Sequence, residues 1–216
     1  MHTDTHGQKQ RGYLPVPGTS VELPYTDIRG SHDGPTLFVT GGIHGGEYPG
    51  IEAAIRFSRA VRPQALRGRI IVIHMTNPPA FFGKRQYESP LDRKNLNRVF
   101  PGYADGSPSE RIAAAVMQML AACDFWVDLH GGDIHESLIP FTLFSDYGSD
   151  ALVRRTEAMA RSYGISHILR SSSIASGSYA QAAHRGIPAI LVEAGQVGQL
   201  DETAVGPSTP PAWTGF

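Results

Sequence analysis

A single cysteine, Cys123, stands in a chain of 216 residues. One thiol cannot build an intrachain disulfide framework, so the core must hold the fold, and a reducing compartment suits it. Long apolar runs are missing as well. The longest, from Ile112 to Cys123, is broken by Gln118 and falls short of the roughly 20 residues of a membrane span. The first residues, Met1 to Gly12, are polar and contain no apolar core of a secretory leader. The expected location is therefore cytoplasmic, with no membrane partner. Charge is scarce too: charged residues make up 18%, and nineteen basic against twenty acidic side chains leave a net charge of −1. That balance gives no electrostatic footprint for nucleic acid. Little charge with an ordinary 41% of hydrophobic residues also argues against disorder over most of the chain. What the chain does have is 24 Gly and 16 Pro, without a Gly-X-Y period.

These punctuate a regular alternation of elements. Residues 1–16 read as a mobile N-terminal tail, in which His2 and His6 carry no expected role. Val21 to Arg29 reads as a strand, and Leu37 to Thr40 as a buried strand opening into Gly41-Gly42. Tyr48 to Val61 has helical spacing, with Ile51, Ala54, Ile55 and Ser58 on one side. Ile70 to Met75 is the next buried strand, stopped by Asn77-Pro78-Pro79. Ser107-Pro108-Ser109-Glu110 starts a helix, with Ser as N-cap, Pro at the first helical position and Glu three residues on. That helix runs to about Cys123. Phe125 to Leu129, Pro140 to Phe144, Ser166 to Leu169 and Ala189 to Val192 read as extended, while Ala151 to Tyr163 and Tyr179 to His184 read as helical. Strands alternating with helices predict an α/β fold, a largely parallel sheet with helices on both faces. One domain over 17–205 is expected, followed by a C-terminal tail, 206–216.

Four of these strands end in reactive residues. Leu37–Thr40 runs into His44 and Glu47, Ile70–Met75 into Asn77, Phe125–Leu129 into His130, and Ala189–Val192 into Glu193. Ligand sites of open α/β sheets lie beyond the carboxyl ends of the strands, so residues far apart in sequence converge there. In His44-Gly-Gly-Glu47 two glycines let the backbone turn so that an imidazole and a carboxylate can face one point. With His130 they make a set suited to zinc, which takes neutral imidazoles and a carboxylate and keeps an open position in catalytic sites. Glu47 could instead simply favour the helix dipole at its first turn. Asp128, two residues before His130, points to the same face of its strand and can accept the second ring N–H of a ligating histidine. Glu193, at the mouth of Ile-Pro-Ala-Ile-Leu-Val, is a candidate general base, or a strand-end carboxylate facing solvent. Asn97 and Arg98 offer a planar donor array for a substrate carboxylate, though Asn residues of this kind also serve turns. His74 in its strand reads as a hydrogen-bonded core residue, His135 as a loop residue, and Cys123 as a small core residue.

The ordered set Gly-Gly-Ile-His44-Gly-Gly-Glu47, Asn77-Pro-Pro-Ala-Phe81, Asp92-Arg-Lys-Asn-Leu-Asn97-Arg98-Val-Phe-Pro-Gly102, Asp128-Leu-His130-Gly-Gly and Val192-Glu193-Ala-Gly195 resembles the succinylglutamate desuccinylase/aspartoacylase family of the zinc carboxypeptidase superfamily. The resemblance covers roughly residues 35 to 200. It implies a three-layer αβα sandwich with a largely parallel mixed sheet, zinc-carboxypeptidase-like, and one Zn2+ per chain held by His44, Glu47 and His130. It also implies Glu193 as the acid/base, and Asn97 and Arg98 on the carboxylate of an N-acyl amino acid. An upstream arginine that polarises the scissile carbonyl is part of the family pattern; Arg85 is the candidate and Arg93 the runner-up. Family members usually continue into a β-rich C-terminal domain, whereas twenty-three residues follow Glu193. The expected chain therefore lacks that domain.

The resulting expectation is a zinc-dependent deacylase cleaving a linear amide. Its alternatives are a metal-binding, catalytically impaired or regulatory homologue, a zinc carboxypeptidase acting on short peptides, and a core that closes its pocket as a homo-oligomer. A serine esterase is excluded by the lack of a Gly-x-Ser-x-Gly elbow. A nucleotide-binding protein is excluded by the lack of both glycine-rich phosphate fingerprints.

Overall fold

A computed structural model describes residues 7–172 and 176–211 of the chain. Its strands are β1 (Gln8–Pro15), β2 (Glu22–Arg29), β3 (His32–Gly41), β4 (Arg67–Ile73), β5 (Phe125–His130), β6 (Phe141–Ser145), β7 (His167–Ser171) and β8 (Ala189–Glu193). Its helices are α1 (Tyr48–Ala60), α2 (Pro78–Phe82), α3 (Pro108–Leu120), α4 (Asp150–Tyr163), α5 (Ser178–His184) and α6 (Glu202–Ser208). The strands form one sheet in the order β1-β2-β4-β3-β5-β8-β6-β7. The four central strands β4, β3, β5 and β8 pair in parallel, as do β6 and β7, while β1–β2, β2–β4 and β6–β8 pair antiparallel. The sheet is mixed, with a parallel centre.

Period-two alternation divides the core between the two faces of this sheet. Phe38, Ile71, Ile73, Trp126 and Leu191 pack with Ile112, Val116 and Leu120 of α3 and Tyr179 and Ala182 of α5. The intervening Leu37, Val39, Ile70, Val127 and Ile190 pack with Ala54 and Phe57 of α1, Met159 and Ala160 of α4 and Val205 of α6. Helices on both faces make this an αβα sandwich. Strand β5 is buried along its whole length, so Asp128 and His130 share the α3/α5 side with Trp126. The register places His130 opposite Glu193 and Thr40 opposite Asp128.

Trp126 is fully buried, tilted against Phe38 with ring centroids 5.7 Å apart, and its indole N–H donates to Thr40 Oγ1 at 2.8 Å. Trp126→Ala is expected to cost about 3–5 kcal/mol. The measurement is a lowered urea midpoint at constant m-value; a loss below about 1 kcal/mol would show that the α3 side of the sheet does not depend on this ring.

Local chemistry explains the helix boundaries. The N–H of Ser107 donates to Glu110 Oε2 at 2.7 Å at the start of α3, and Gly164, with φ of 93°, ends α4 in the left-handed region. Three sequence readings change. The expected tail 1–16 contains β1, whose eight residues pair in register with β2 from Gln8↔Arg29 to Pro15↔Glu22. Its Gln-Lys-Gln-Arg pattern hides it, because an edge strand stays wet and tolerates charge. The expected tail from 206 begins inside α6, where Gly206 and Pro207 conceal a helix. Asp201 caps that helix by accepting Thr203 N–H at 2.9 Å, and Val205 buries against the α1 side of the core. Asn77-Pro78-Pro79 stops the strand but also starts α2, since proline is tolerated in a helix's first turn. Residues 1–6 and 212–216 of the two expected tails lie outside the described residues. Among the described residues no helix is long and apolar enough to cross a membrane.

Candidate active site

The carboxyl ends of β3, β5 and β8 meet at one cavity of about 190 Å³. Past β3 the chain turns at Gly42, which has φ of 69°, and runs so close to α2 that a Cβ on Gly45 would lie 2.4 Å from the Ala80 carbonyl carbon. Glycine is required at both points. This turn delivers His44 and Glu47 into the cavity. Glu47 stands at the N-cap position of α1 but makes no capping bond with its side chain. Its carboxylate faces inward instead: Oε1 lies 2.6 Å from His44 Nδ1, and Oε2 lies 2.9 Å from His130 Nδ1 and accepts the Gly131 N–H at 3.2 Å. The capping reading of Glu47 is thus replaced by a role in the cavity.

The second nitrogen of each imidazole is engaged elsewhere. His44 Nε2 lies 3.1 Å from Asn95 Oδ1, and His130 Nε2 lies 3.0 Å from Asp128 Oδ2. Both rings therefore turn Nδ1 toward Glu47, which fixes the nitrogen free to bind a metal. Asp128 is fixed in turn, by Thr40 Oγ1 donating to Oδ1 at 2.7 Å and Ser178 Oγ donating to Oδ2 at 2.5 Å. Ligand atoms of His44, Glu47 and His130 lie within 4.8 Å of one another, and all three residues are buried. Two imidazoles and a carboxylate on one point match the His₂Glu set of carboxypeptidase A. The residues fit a divalent metal.

Within the cluster the charges compensate one another. Burial alone would raise the Glu47 carboxyl, yet His44 and His130 hold it down at about 2. Burial would lower His130, but Glu47 and Asp128 raise it well above the usual histidine range. For Glu193 the compensation by His130 is only partial. Burial, reinforced by the charge of Glu47, pushes it up to about 8, and its Oε2 is buried without a hydrogen-bond partner.

Asn97 and Arg98 line the same cavity. Asn97 Oδ1 accepts the Ser178 N–H at 2.9 Å, which leaves its Nδ2 donors for a ligand, and Arg98 Nη1 donates to the Asn97 carbonyl at 2.9 Å. Arg85 and Arg93 do not join them. Both are exposed and line a neighbouring cleft of about 410 Å³ with Glu88, Ser89 and Pro90. The two candidates for the carbonyl-polarising arginine are thus placed outside the cavity that Arg98 lines. The Arg93 N–H donates to the Ser89 carbonyl at 2.9 Å. His74 shares a hydrogen bond of 2.9 Å with Thr26, and burial lowers it to about 4. His135 is exposed, and Cys123 is buried with its thiol pushed up to about 12 by burial.

Sequence reading passed over Thr40, Tyr87 and Ser178, and gave Asn95 no role beyond its motif. Thr40 was legible only as a strand end, and Ser178 enters through α5 with no local signal. Tyr87 lines the cavity edge-on to His44, ring centroids 5.5 Å apart. Burial and the adjacent Glu136 carboxylate push its hydroxyl up to about 12.

A profile of the succinylglutamate desuccinylase/aspartoacylase catalytic domain matches residues 33–206. The N-alpha-acetyl-L-2,4-diaminobutyric acid deacetylase of Halomonas elongata is 36% identical over 163 residues, covering 72% of this chain and 47% of that protein. Among solved structures, the succinylglutamate desuccinylase/aspartoacylase of Rhodobacter sphaeroides superposes with a TM-score of 0.84 at 30% identity, over 95% of this chain and 63% of that one. The product-bound ectoine utilization protein EutE (DoeB) of Ruegeria pomeroyi gives 0.85 at 27% identity, over 93% of this chain and 64% of that one. The chain thus spans about half the length of the curated relative and just under two thirds of these solved ones. With the matched region enclosing every residue of the cavity described above, the chain belongs to the succinylglutamate desuccinylase/aspartoacylase family.

Proposed function

We propose that the protein is a zinc-dependent deacylase that cleaves the amide bond of a small N-acyl amino acid. One observation carries the reading: the His44–Glu47–His130 cluster shares a cavity with Glu193, whose Oε2 is buried without a hydrogen-bond partner, and with Asn97 and Arg98. His44 and His130 through Nδ1, and Glu47, would hold the zinc. When bound, it supplies Lewis acidity that polarises a carbonyl and eases the ionisation of water. Arg98 and the Nδ2 of Asn97 bind the amino-acid carboxylate and set the amide in register with the cluster. Glu193 takes the proton of the attacking water and returns it to the departing amine nitrogen. The family match and the deacetylase relative support this reaction class.

The test is metal analysis followed by a screen of N-acyl amino acids for release of free amine. About one zinc per chain with turnover is expected; metal without hydrolysis of any member would overturn the reading. Arg98→Ala is expected to weaken substrate by about 2–5 kcal/mol if the pair is desolvated, seen chiefly in KM. Arg98→Lys keeps the charge without the bidentate geometry and should fall between. An unchanged KM for the best substrate in Arg98→Ala would remove Arg98 from the site.

A further inference from the structure

One carboxylate in the cavity has no part in the reaction just described. Glu136 lines it together with Arg98, Glu193 and Tyr87. It sits on the β5–β6 loop, which is pinned to the segment after β8 by the Val197 N–H on the Glu136 carbonyl at 2.7 Å, the Gly132 N–H on the Gly195 carbonyl at 3.2 Å, and Ser137 Oγ on Gln196 Oε1 at 2.8 Å. The carboxylate is thus held in place, with Oε2 accepting the Asp133 N–H at 3.2 Å and Tyr87 hydrogen-bonded to it. Its neighbour Asp133 is fully buried and keeps Oδ2 without a hydrogen-bond partner. No lysine, arginine or histidine among the described residues forms an ion pair with Glu136; the imidazoles of the site pair with Glu47 and Asp128.

Charge matching then discriminates among substrates. An α-carboxylate on Arg98 occupies the one arginine that lines the cavity among the described residues, since Arg85 and Arg93 line the separate cleft. A second carboxylate on the substrate would meet Glu136 with no further guanidinium among the described lining residues to receive it, and like charges in a cavity repel. A substrate ammonium would meet an anchored anion that has acceptors to spare.

We propose that Glu136 is a specificity-determining residue that binds a side-chain ammonium group, so that the preferred substrate is the Nα-acyl derivative of a diamino acid. The proposal rests on the deacylase reading above. Its test compares kcat/KM for the Nα-acetyl derivatives of 2,4-diaminobutyrate and ornithine with those of their methyl-terminated counterparts, norvaline and norleucine, and of aspartate and glutamate. The wild type is expected to favour the ammonium substrates and to reject the dicarboxylates. In Glu136→Gln the ratio of ammonium to methyl substrate should collapse by about tenfold to a hundredfold, the worth of a charge-assisted hydrogen bond, mostly through KM. A purely structural Glu136 would lower both substrates together and leave the ratio where it was; that result overturns the proposal. So does a wild type that hydrolyses neutral or acidic substrates better, and in that case the deacylase reading stands. If no N-acyl amino acid is hydrolysed, the deacylase reading fails. Calorimetric titration of free 2,4-diaminobutyrate and norvaline into wild type and Glu136→Gln then decides the matter: equal affinities in the wild type overturn the assignment, and a preference for the diamino acid that Glu136→Gln abolishes upholds it.

Discussion

Glu193→Gln is expected to retain zinc and to lose turnover by roughly 10²–10⁴-fold, the usual contribution of a general base. Gln preserves the length of the side chain and one oxygen acceptor, but it cannot take a proton from water. The effect belongs in kcat, because Asn97 and Arg98 still hold the substrate in the same cavity. The register gives the physical ground: Glu193 ends β8 directly opposite His130 at the end of β5, so both side chains leave the sheet on the α3/α5 side. Glu193 Oε2 is buried without a partner, so that oxygen breaks no existing hydrogen bond before it acts. Near-normal kcat with zinc retained would sink the assignment and turn attention to another carboxylate, Glu136 or Asp133, the latter with a buried Oδ2 that has no hydrogen-bond partner.

Metal content should respond as sharply to the histidines. After dialysis, His44→Ala and His130→Ala are expected to hold far less than one zinc per chain and to show background hydrolysis, because two remaining donors cannot match the three-ligand site. Asp128→Asn, which keeps all three ligands and alters only the partner of His130 Nε2, is expected to lose about 10–100-fold in affinity. Removing His130 also leaves Glu47 and Asp128 without the imidazole that lies within 3.0 Å of each. Uncompensated buried charge of this kind costs about 3–5 kcal/mol, so His130→Ala should melt at lower temperature. His44→Ala keeps the Asp128–His130 pair intact and provides the cleaner reading on folded protein. Stoichiometric zinc in both histidine variants would mean that the ligands lie elsewhere.

Much of this was set by sequence alone. Short apolar runs separated by glycine and proline encode strands wherever they are buried on both sides, as in Leu37–Thr40 and Phe125–Leu129, because hydrophobic periodicity is a local property. The alternation of those runs with amphipathic helices fixed the αβα class. The spacing in His44-Gly-Gly-Glu47 and Asp128-Leu-His130 was legible for the same reason, since three residues across a turn or two along a strand decide which side chains can face together. Segments whose stability comes from partners were not legible. The strand Gln8–Pro15 looks polar because half of its hydrogen bonding is lent by β2, and Glu202–Ser208 is helical because Val205 finds the core beside α1. Only the tertiary structure decided that Glu47 turns from its helix to two imidazoles, that Asn95 takes the outer nitrogen of His44, and that Arg85 and Arg93 lie in a different cleft from Arg98. It likewise placed Glu136 on the wall of the cavity beside Tyr87. Such facts depend on contacts between residues far apart in the chain, His44 with Asn95 and Glu47 with His130 among them, and their energies are fixed by which groups share a water-poor cavity.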